Sequence, residues 1–373
     1  MGAGRTRRWR CPHRGHGLGD RRRASDSVPG RIRGPIATVS DPDPVRVGVV
    51  GLGWWGGVLA DAAERAGLEV TACFARTKAS RDEFAAVRGC YAASSLAELV
   101  ASDDVEGVIL ATPHSVHVEH VEQIAAAGKH VIVDKPFTLT VAEARRALAA
   151  TSAAGTILMV GHQRRRQEAN RRIKDLIDGG DIGTPVVASS VYGVASGYPA
   201  TWRAAKDETP LGAMTGLGVH MIDTFHYLLG PIERVSAFSN EMLEGEPLDH
   251  ATGLLLEFWT GAVGSLVTTH FAPKVIQMSV HGTKGAAFNE DDGARLFVQK
   301  ISEGTRTEVT FKRNDELVDQ LVAFADAIRG TGPAEPGGVE GMAVVAVLEA
   351  AVASAESRAA VEVAEFMSGD RYG

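Results

Sequence analysis

From residue 45 onward the chain repeats one alternation, a short apolar run followed by a stretch of helical period. "VRVGVV" (45–50) is a β-run, and an Ala-faced helical pattern follows it to about residue 66. "LEVTACFA" is the next strand. "VEGVILA" (105–111) leads through "TPHSVHVEH" into a helix to about 127. "GKHVIVDKPF" is again a strand with its exit, then a helix spans about 140–153 and "TILMVGH" makes the sixth strand. Strand–helix repetition of this kind predicts a parallel, doubly wound sheet, whose ligands bind at the carboxyl ends of the strands. Past Gly161 the pattern changes. "QEANRRIKDLIDGGDIG" predicts an amphipathic helix with Ile173, Leu176 and Ile177 on one face. The runs "PVVASSVYGV", "IERVSAFSNEM", "ATGLLLEFW", "AVGSLVTTHF", "VIQMSVHGT" and "EVTFKR" alternate with period two and are joined by short Gly and Asn/Asp turns. They predict a large, open, mostly antiparallel sheet. Two helices, about 315–329 and 339–357, close the chain. The expected class is α/β, with a dinucleotide-binding Rossmann domain over 45–163, an α/β substrate and oligomerisation domain over 164–363, and a tail over 364–373. The final helices are expected to pack back on the first domain.

Residues 1–44 do not fit this pattern. They hold ten Arg, no Lys and four Asp, a surplus of six positive charges that leaves the rest of the chain at −13 of the formal net −7. Rich in Gly and Arg and almost without apolar periodicity, this head reads as a disordered basic extension, with a misassigned start as the alternative expectation; it has no apolar segment like that of a secretory leader. The acidic body argues against nucleic acid as a partner. No apolar run approaches the roughly 20 residues of a membrane span. Three cysteines, Cys11, Cys73 and Cys90, show neither metal nor disulfide spacing, which suits a cytoplasmic protein. No Cys/His cluster has the ligand spacing of a metal site.

The first strand runs into "GLGWWG", Gly51–Gly56, ahead of a helix and a second strand. That order is what a dinucleotide fingerprint requires: Gly51 for the tight turn, Gly53 for close approach of a pyrophosphate, Gly56 for helix–strand packing. Trp54 and Trp55 open the helix whose free N–H groups would meet the anion. At the end of the second strand stand Arg76, Thr77 and Lys78, with no carboxylate to read a ribose 2′-hydroxyl. Charge-assisted bonds from Arg76 and Thr77 point to the 2′-phosphate of NADP, with NAD the alternative. Other strand ends add Thr112, Pro113, His114, His117, Asp134, Lys135 and Gln163 as candidate cofactor contacts, and they place the ammonium of Lys135 at the mouth of the site.

In the second half "PLGAMTGLGVHMIDTFHYLLG" interrupts the strand pattern. Glycines 212, 216 and 218 precede a helix on which His220 and Asp223, three residues apart, share a face. A histidine there is either a packing residue or a general base for a hydroxyl proton.

Together, "GLGWWG", "ATPHSVH", "DKP", "GHQRR" and "GLGVHMID", in this order, resemble the Gfo/Idh/MocA oxidoreductases, the glucose–fructose oxidoreductase and inositol dehydrogenase group. The resemblance covers about 45–363. It implies a nicotinamide cofactor, a sugar, inositol or related cyclic polyol as substrate, and a dimer or tetramer formed through the open sheet. It also implies that Lys135 polarises the reacting oxygen, that His220 is the general acid/base, and that Arg164 contacts substrate. Tyr198, Trp202 and Arg203 in "GYPATWRAA" are expected to line the sugar pocket. Many members carry Asp four residues before the histidine; here that position is Gly216, and Asp223 is expected to orient the ring and to face the substrate. Two other readings stay open: a dihydrodiol dehydrogenase or reductase for a non-sugar ring, and an NADP-binding sensor or scaffold with impaired turnover.

Overall fold

The structure, a computed structural model, describes residues 43–198 and 201–367. The basic extension up to residue 42, Pro199 and Ala200 of the aromatic loop, and the tail from 368 lie outside the described residues.

Six strands form the first sheet: β1 (Arg46–Val50), β2 (Glu69–Phe74), β3 (Tyr91–Ala92), β4 (Gly107–Leu110), β5 (His130–Val133) and β6 (Leu158–Val160). Their order is β3-β2-β1-β4-β5-β6, with every pairing parallel. Helices α1 (Trp54–Arg65), α2 (Lys78–Arg88), α3 (Leu96–Ala101), α4 (His117–Ala126) and α5 (Val141–Ala154) make the crossovers. β4 and β5 are buried along their whole apolar runs, Gly107–Leu110 and Val131–Val133, as a strand covered on both faces must be. Strand order reverses between β1 and β4, so the ligand crevice opens above their carboxyl ends. The start of α5 is fixed by a reciprocal cap. Glu143 N–H donates to Thr140 Oγ1 (3.2 Å), and Thr140 N–H donates to the Glu143 carboxylate (3.0 Å).

After α6 (Glu168–Asp178) come β7 (Pro185–Ala195), α7 (Val219–Leu229), β8 (Ile232–Asn240), β9 (Ala251–Phe258), β10 (Val263–Thr269), β11 (Phe271–Gly282), β12 (Gly285–Glu290), β13 (Arg295–Lys300) and β14 (Thr307–Val309). With β15 (Val361–Glu362) these strands form a nine-stranded sheet, β14-β13-β12-β11-β7-β10-β9-β8-β15. Only the β7–β10 pair in it is parallel. Period-two alternation places Ala237, Leu254, Leu256, Leu266 and Met278 in the core, and leaves Val187, Leu255, Val263 and Val267 exposed on the opposite face.

Two helices bind the sheets together. α8 (Glu316–Ile328) buries Leu321 and Phe324 with Val47, Val49 and Ile109 of the first sheet, worth roughly 2 kcal/mol per side chain. α9 (Gly338–Ser357) packs on β8, where Ala237 N–H donates to Ser354 Oγ at 2.9 Å, and on α5 and α7. By length and composition α9 is apolar enough to cross a membrane, more so than the sequence reading allowed. Its apolar side chains Val344, Val345, Val347 and Leu348 are buried within the protein instead.

Candidate active site

The glycine loop has the geometry that its sequence order demands. Gly51 has φ +94°, and a Cβ there would lie 2.4 Å from the carbonyl oxygen of Ala111; a Cβ on Gly56 would lie 1.9 Å from that of Gly51. Both positions exclude every larger residue. Gly53 faces open space, and no side chain caps the first N–H groups of α1. An uncapped helix start above an unobstructed glycine is a fitting cradle for a pyrophosphate. Trp54 is 81% exposed beside it. Trp55 is half-buried, and its indole Nε1 is buried without a partner among the described residues. At the end of β2, Lys78 pairs with Asp82 (2.6 Å) and Thr77 Oγ1 meets Ser80 Oγ (2.7 Å). The Arg76 guanidinium is exposed, with no protein partner among the described residues.

At the mouth, Thr112 Oγ1 lies 3.3 Å from His120 Nδ1, and His114 Nδ1 lies 2.7 Å from the carbonyl of Glu208. Asp134 and Gln163 are buried, and Gln163 Oε1 is unpartnered among the described residues. His117 is different. Fully buried, it points Nε2 at Thr112 O (3.0 Å) and Nδ1 at Pro136 O (3.2 Å) and Phe137 O (3.1 Å). A neutral ring has one N–H, so it donates on one side only and fills the space between the backbone after β4 and that after Lys135.

Lys135, at the end of β5, donates from Nζ to the carbonyl of Gly216 at 2.7 Å. Gly216 lies one turn before His220, in a wide π-type turn over Met214–Gly218 that runs into α7; such turns recur at functional sites. Burial lowers the ammonium pKa from its usual value. Asp134 opposes that, while Arg203 and Arg164 add to it. His220 is 4% exposed, and its Nδ1 is buried without a partner among the described residues. Burial first, then Lys135, Arg164 and His162, hold it well below the usual histidine range, which favours the neutral ring.

Three of the expected site residues have protein partners. Asp223 does not orient His220 or face a substrate: it is fully buried, and Arg165 grips both carboxylate oxygens, Nε at 3.1 Å and Nη2 at 2.5 Å. Arg164 presents no free fork, because Nη1 donates to Asp292 (2.5 Å) and Nη2 to Tyr192 Oη (2.7 Å). It holds the Tyr192 ring, which stacks on His220 with centroids 6.5 Å apart. The Tyr198 hydroxyl donates to Asp249 O at 2.6 Å rather than standing free for a sugar. Trp202 packs edge-on to His114 (4.7 Å), with the Arg203 guanidinium 4.1 Å over its ring, at the edge of the cleft.

Residues 45–162 match the profile described as "Oxidoreductase family, NAD-binding Rossmann fold", and residues 170–288 match the Gfo/Idh/MocA C-terminal domain. The chain belongs to the Gfo/Idh/MocA oxidoreductases. Inositol 2-dehydrogenase 3 of Saccharopolyspora erythraea is 30% identical over 337 residues, 86% of this chain and 96% of the relative. The 1,5-anhydro-D-fructose reductase of Ensifer adhaerens is 29% identical over 284 residues, 72% of this chain and 83% of the relative. Among solved structures, a Desulfitobacterium hafniense protein provisionally named an NADPH-dependent oxidoreductase superposes with TM-score 0.83 at 32% identity, covering 87% of this chain and 99% of that one. The chain is therefore an NAD(P)-dependent oxidoreductase of the Gfo/Idh/MocA type.

Sequence reasoning gave no role to His162, Tyr192 or Glu208. His162 is fully buried and lies edge-on to His220 at 6.2 Å; neither of its ring nitrogens has a partner among the described residues. Glu208 accepts from Ser115 N–H at 3.1 Å and from the Ser115 hydroxyl, joining the 201–210 segment to the turn after β4. "GHQRR" contained a hint of the first. An isolated Tyr in a strand and a Glu in a loop carry no such signal.

The buried histidines make stability depend on pH. Burial lowers the pKa of His114, His117, His162 and His220, and that of His226 to about 4. In the unfolded chain each would titrate near about 6.5. Below that pH the unfolded state binds more protons than the folded one, so the stability these groups confer is complete above about pH 6.5 and declines as pH falls. Each wholly shifted histidine contributes a slope of up to about 1.4 kcal/mol per pH unit. Thermal unfolding followed from pH 8 to pH 5 is expected to show a level midpoint above pH 7 and a steep fall below. An unchanged midpoint across that range would refute this.

Proposed function

We propose that the protein transfers a hydride between NADP, with NAD as the alternative cofactor, and a hydroxyl or carbonyl carbon of a sugar, inositol or related cyclic polyol. The observation that carries the reading is the reach of Lys135 from the cofactor sheet to the carbonyl that precedes His220. With its pyrophosphate held at Gly51–Gly56, a bound nicotinamide cofactor would supply or take up the hydride at the mouth beside Lys135. Lys135 Nζ would turn from the Gly216 carbonyl to the reacting oxygen and stabilise negative charge there as C–OH becomes C=O. His220, neutral and held by the Tyr192 ring, would take the hydroxyl proton, and would return it in the reverse direction. The names of the inositol and anhydrofructose relatives support a small cyclic polyol. The exposed apolar face of the nine-stranded sheet supports a homo-oligomer assembled through it.

The experiment is a panel of sugars and cyclitols assayed with NADPH, NADP, NADH and NAD by nicotinamide absorbance. Turnover is expected with at least one member, and absence of turnover throughout would overturn the reading. The cofactor preference is tested by Arg76→Ala. Loss of a charge-assisted contact to the 2′-phosphate is expected to raise the KM for NADPH by about tenfold to a hundredfold and to leave that for NADH nearly unchanged. Equal effects on both cofactors would assign Arg76 no part in that choice.

A further inference from the structure

We infer that His270, just beyond β10, accepts a hydrogen bond through Nε2 from a second hydroxyl of the substrate, in the opening left by the missing side chain of Gly216. This rests on the proposed polyol oxidoreductase function and identifies a specificity residue within its site.

The geometry places His270 at the opening. A Cβ built on Gly216 would lie 3.6 Å from His270 Nε2, and no other described atom outside its own turn comes within 4 Å of it. The carbonyl of the same glycine receives the Lys135 ammonium, so lysine and histidine flank one small space. The ring is fixed from behind. Nδ1 lies 2.9 Å from Ser196 Oγ, the Tyr198 ring meets its edge at 4.9 Å, and the His270 carbonyl accepts from the N–H groups of Ser196 and Gly197, each at 3.1 Å.

Ser196 Oγ lies 2.9 Å from His270 Nδ1 and 3.3 Å from Gly197 O; in the proposed arrangement the hydroxyl donates to Gly197 O and Oγ accepts the hydrogen on Nδ1. In that tautomer Nε2 presents a lone pair. Burial, with the Lys135 charge beside it, pushes the His270 pKa down to about 4, which keeps the ring neutral at working pH. Nε2 has no protein partner among the described residues. A neutral acceptor beside the reacting oxygen's ammonium suits a hydroxyl on a neighbouring carbon of a polyol. A carboxylate in that space would suit the same hydroxyl, but would also pair with Lys135.

The test uses the full chain and the panel member that wild type turns over best, together with analogues in which single hydroxyls are replaced by hydrogen or by fluorine. His270→Phe is expected to raise KM about tenfold with a smaller change in kcat, while NADPH affinity and unfolding midpoint stay at the wild-type values. His270→Gln, whose amide oxygen also accepts, is expected to recover most of that loss. For wild type, one position is expected to be sensitive, with the fluoro analogue as poor as the deoxy one because fluorine cannot donate. His270→Phe is expected to abolish that sensitivity. A wild-type KM in His270→Phe, or a fluoro analogue that restores binding, would overturn the inference and leave the proposed function intact. Failure of the wild type to turn over any panel member would sink both.

Discussion

Lys135→Ala is expected to lower kcat by about a hundredfold to a thousandfold, the range seen when one donor to a developing oxyanion is removed. The ammonium is partly buried, sits at the end of a strand with no exposed residue, and has one protein acceptor among the described residues, the Gly216 carbonyl. The two cations whose charges act on it have other partners: the terminal nitrogens of Arg164 are held by Asp292 and Tyr192, and Arg203 lies over Trp202 at the cleft edge. Lys135→Arg is expected to recover little, because a planar fork cannot occupy the position of a compact ammonium. NADPH affinity measured by fluorescence titration should stay close to wild type, since the glycine cradle lies at the ends of other elements. A variant that retains kcat within tenfold of wild type would remove Lys135 from the mechanism.

The largest effect on stability is expected at Arg165. Its guanidinium holds the carboxylate of a residue with no exposed surface, Asp223, and burial raises the Asp223 pKa against the pull of Arg165. Arg165→Ala would leave that carboxylate buried and alone, at a cost of about 3–5 kcal/mol. Urea unfolding should show the midpoint shift at constant slope. Replacing both partners, as Arg165→Met with Asp223→Leu, is expected to cost far less than the sum of the single changes, because no charge is then stranded. Equal losses for the single and double variants would show that packing rather than charge dominates there.

The first half of the chain was readable because its signals are local. The runs Val47–Val50, Gly107–Leu110, Val131–Val133 and Leu158–Val160 are wholly apolar, and the strand, glycine turn and helix follow one another directly in the sequence around Gly51–Gly56. The second sheet was read less fully. "GAAFNE" has no β-branched residue and became a strand only because β11 and β13 pair on its two sides. The site divides the same way. Lys135 and His220 stand at positions that strand ends and glycine turns mark in the sequence. The partners of Asp223, Arg164 and Tyr198 lie 58, 128 and 51 residues away, and no local pattern encodes such separations. His220 and Asp223 share a helix, but a buried carboxylate pairs with the strongest donor within reach, which here is an arginine from another element.

His117 carries a consequence for precision. One imidazole ring sits between the Thr112 carbonyl at the exit of β4 and the Pro136 and Phe137 carbonyls that follow Lys135. The amine proposed to polarise the substrate would thus be braced by a buried aromatic ring rather than by a loop, and a change of that ring would displace the ammonium without touching the glycine cradle.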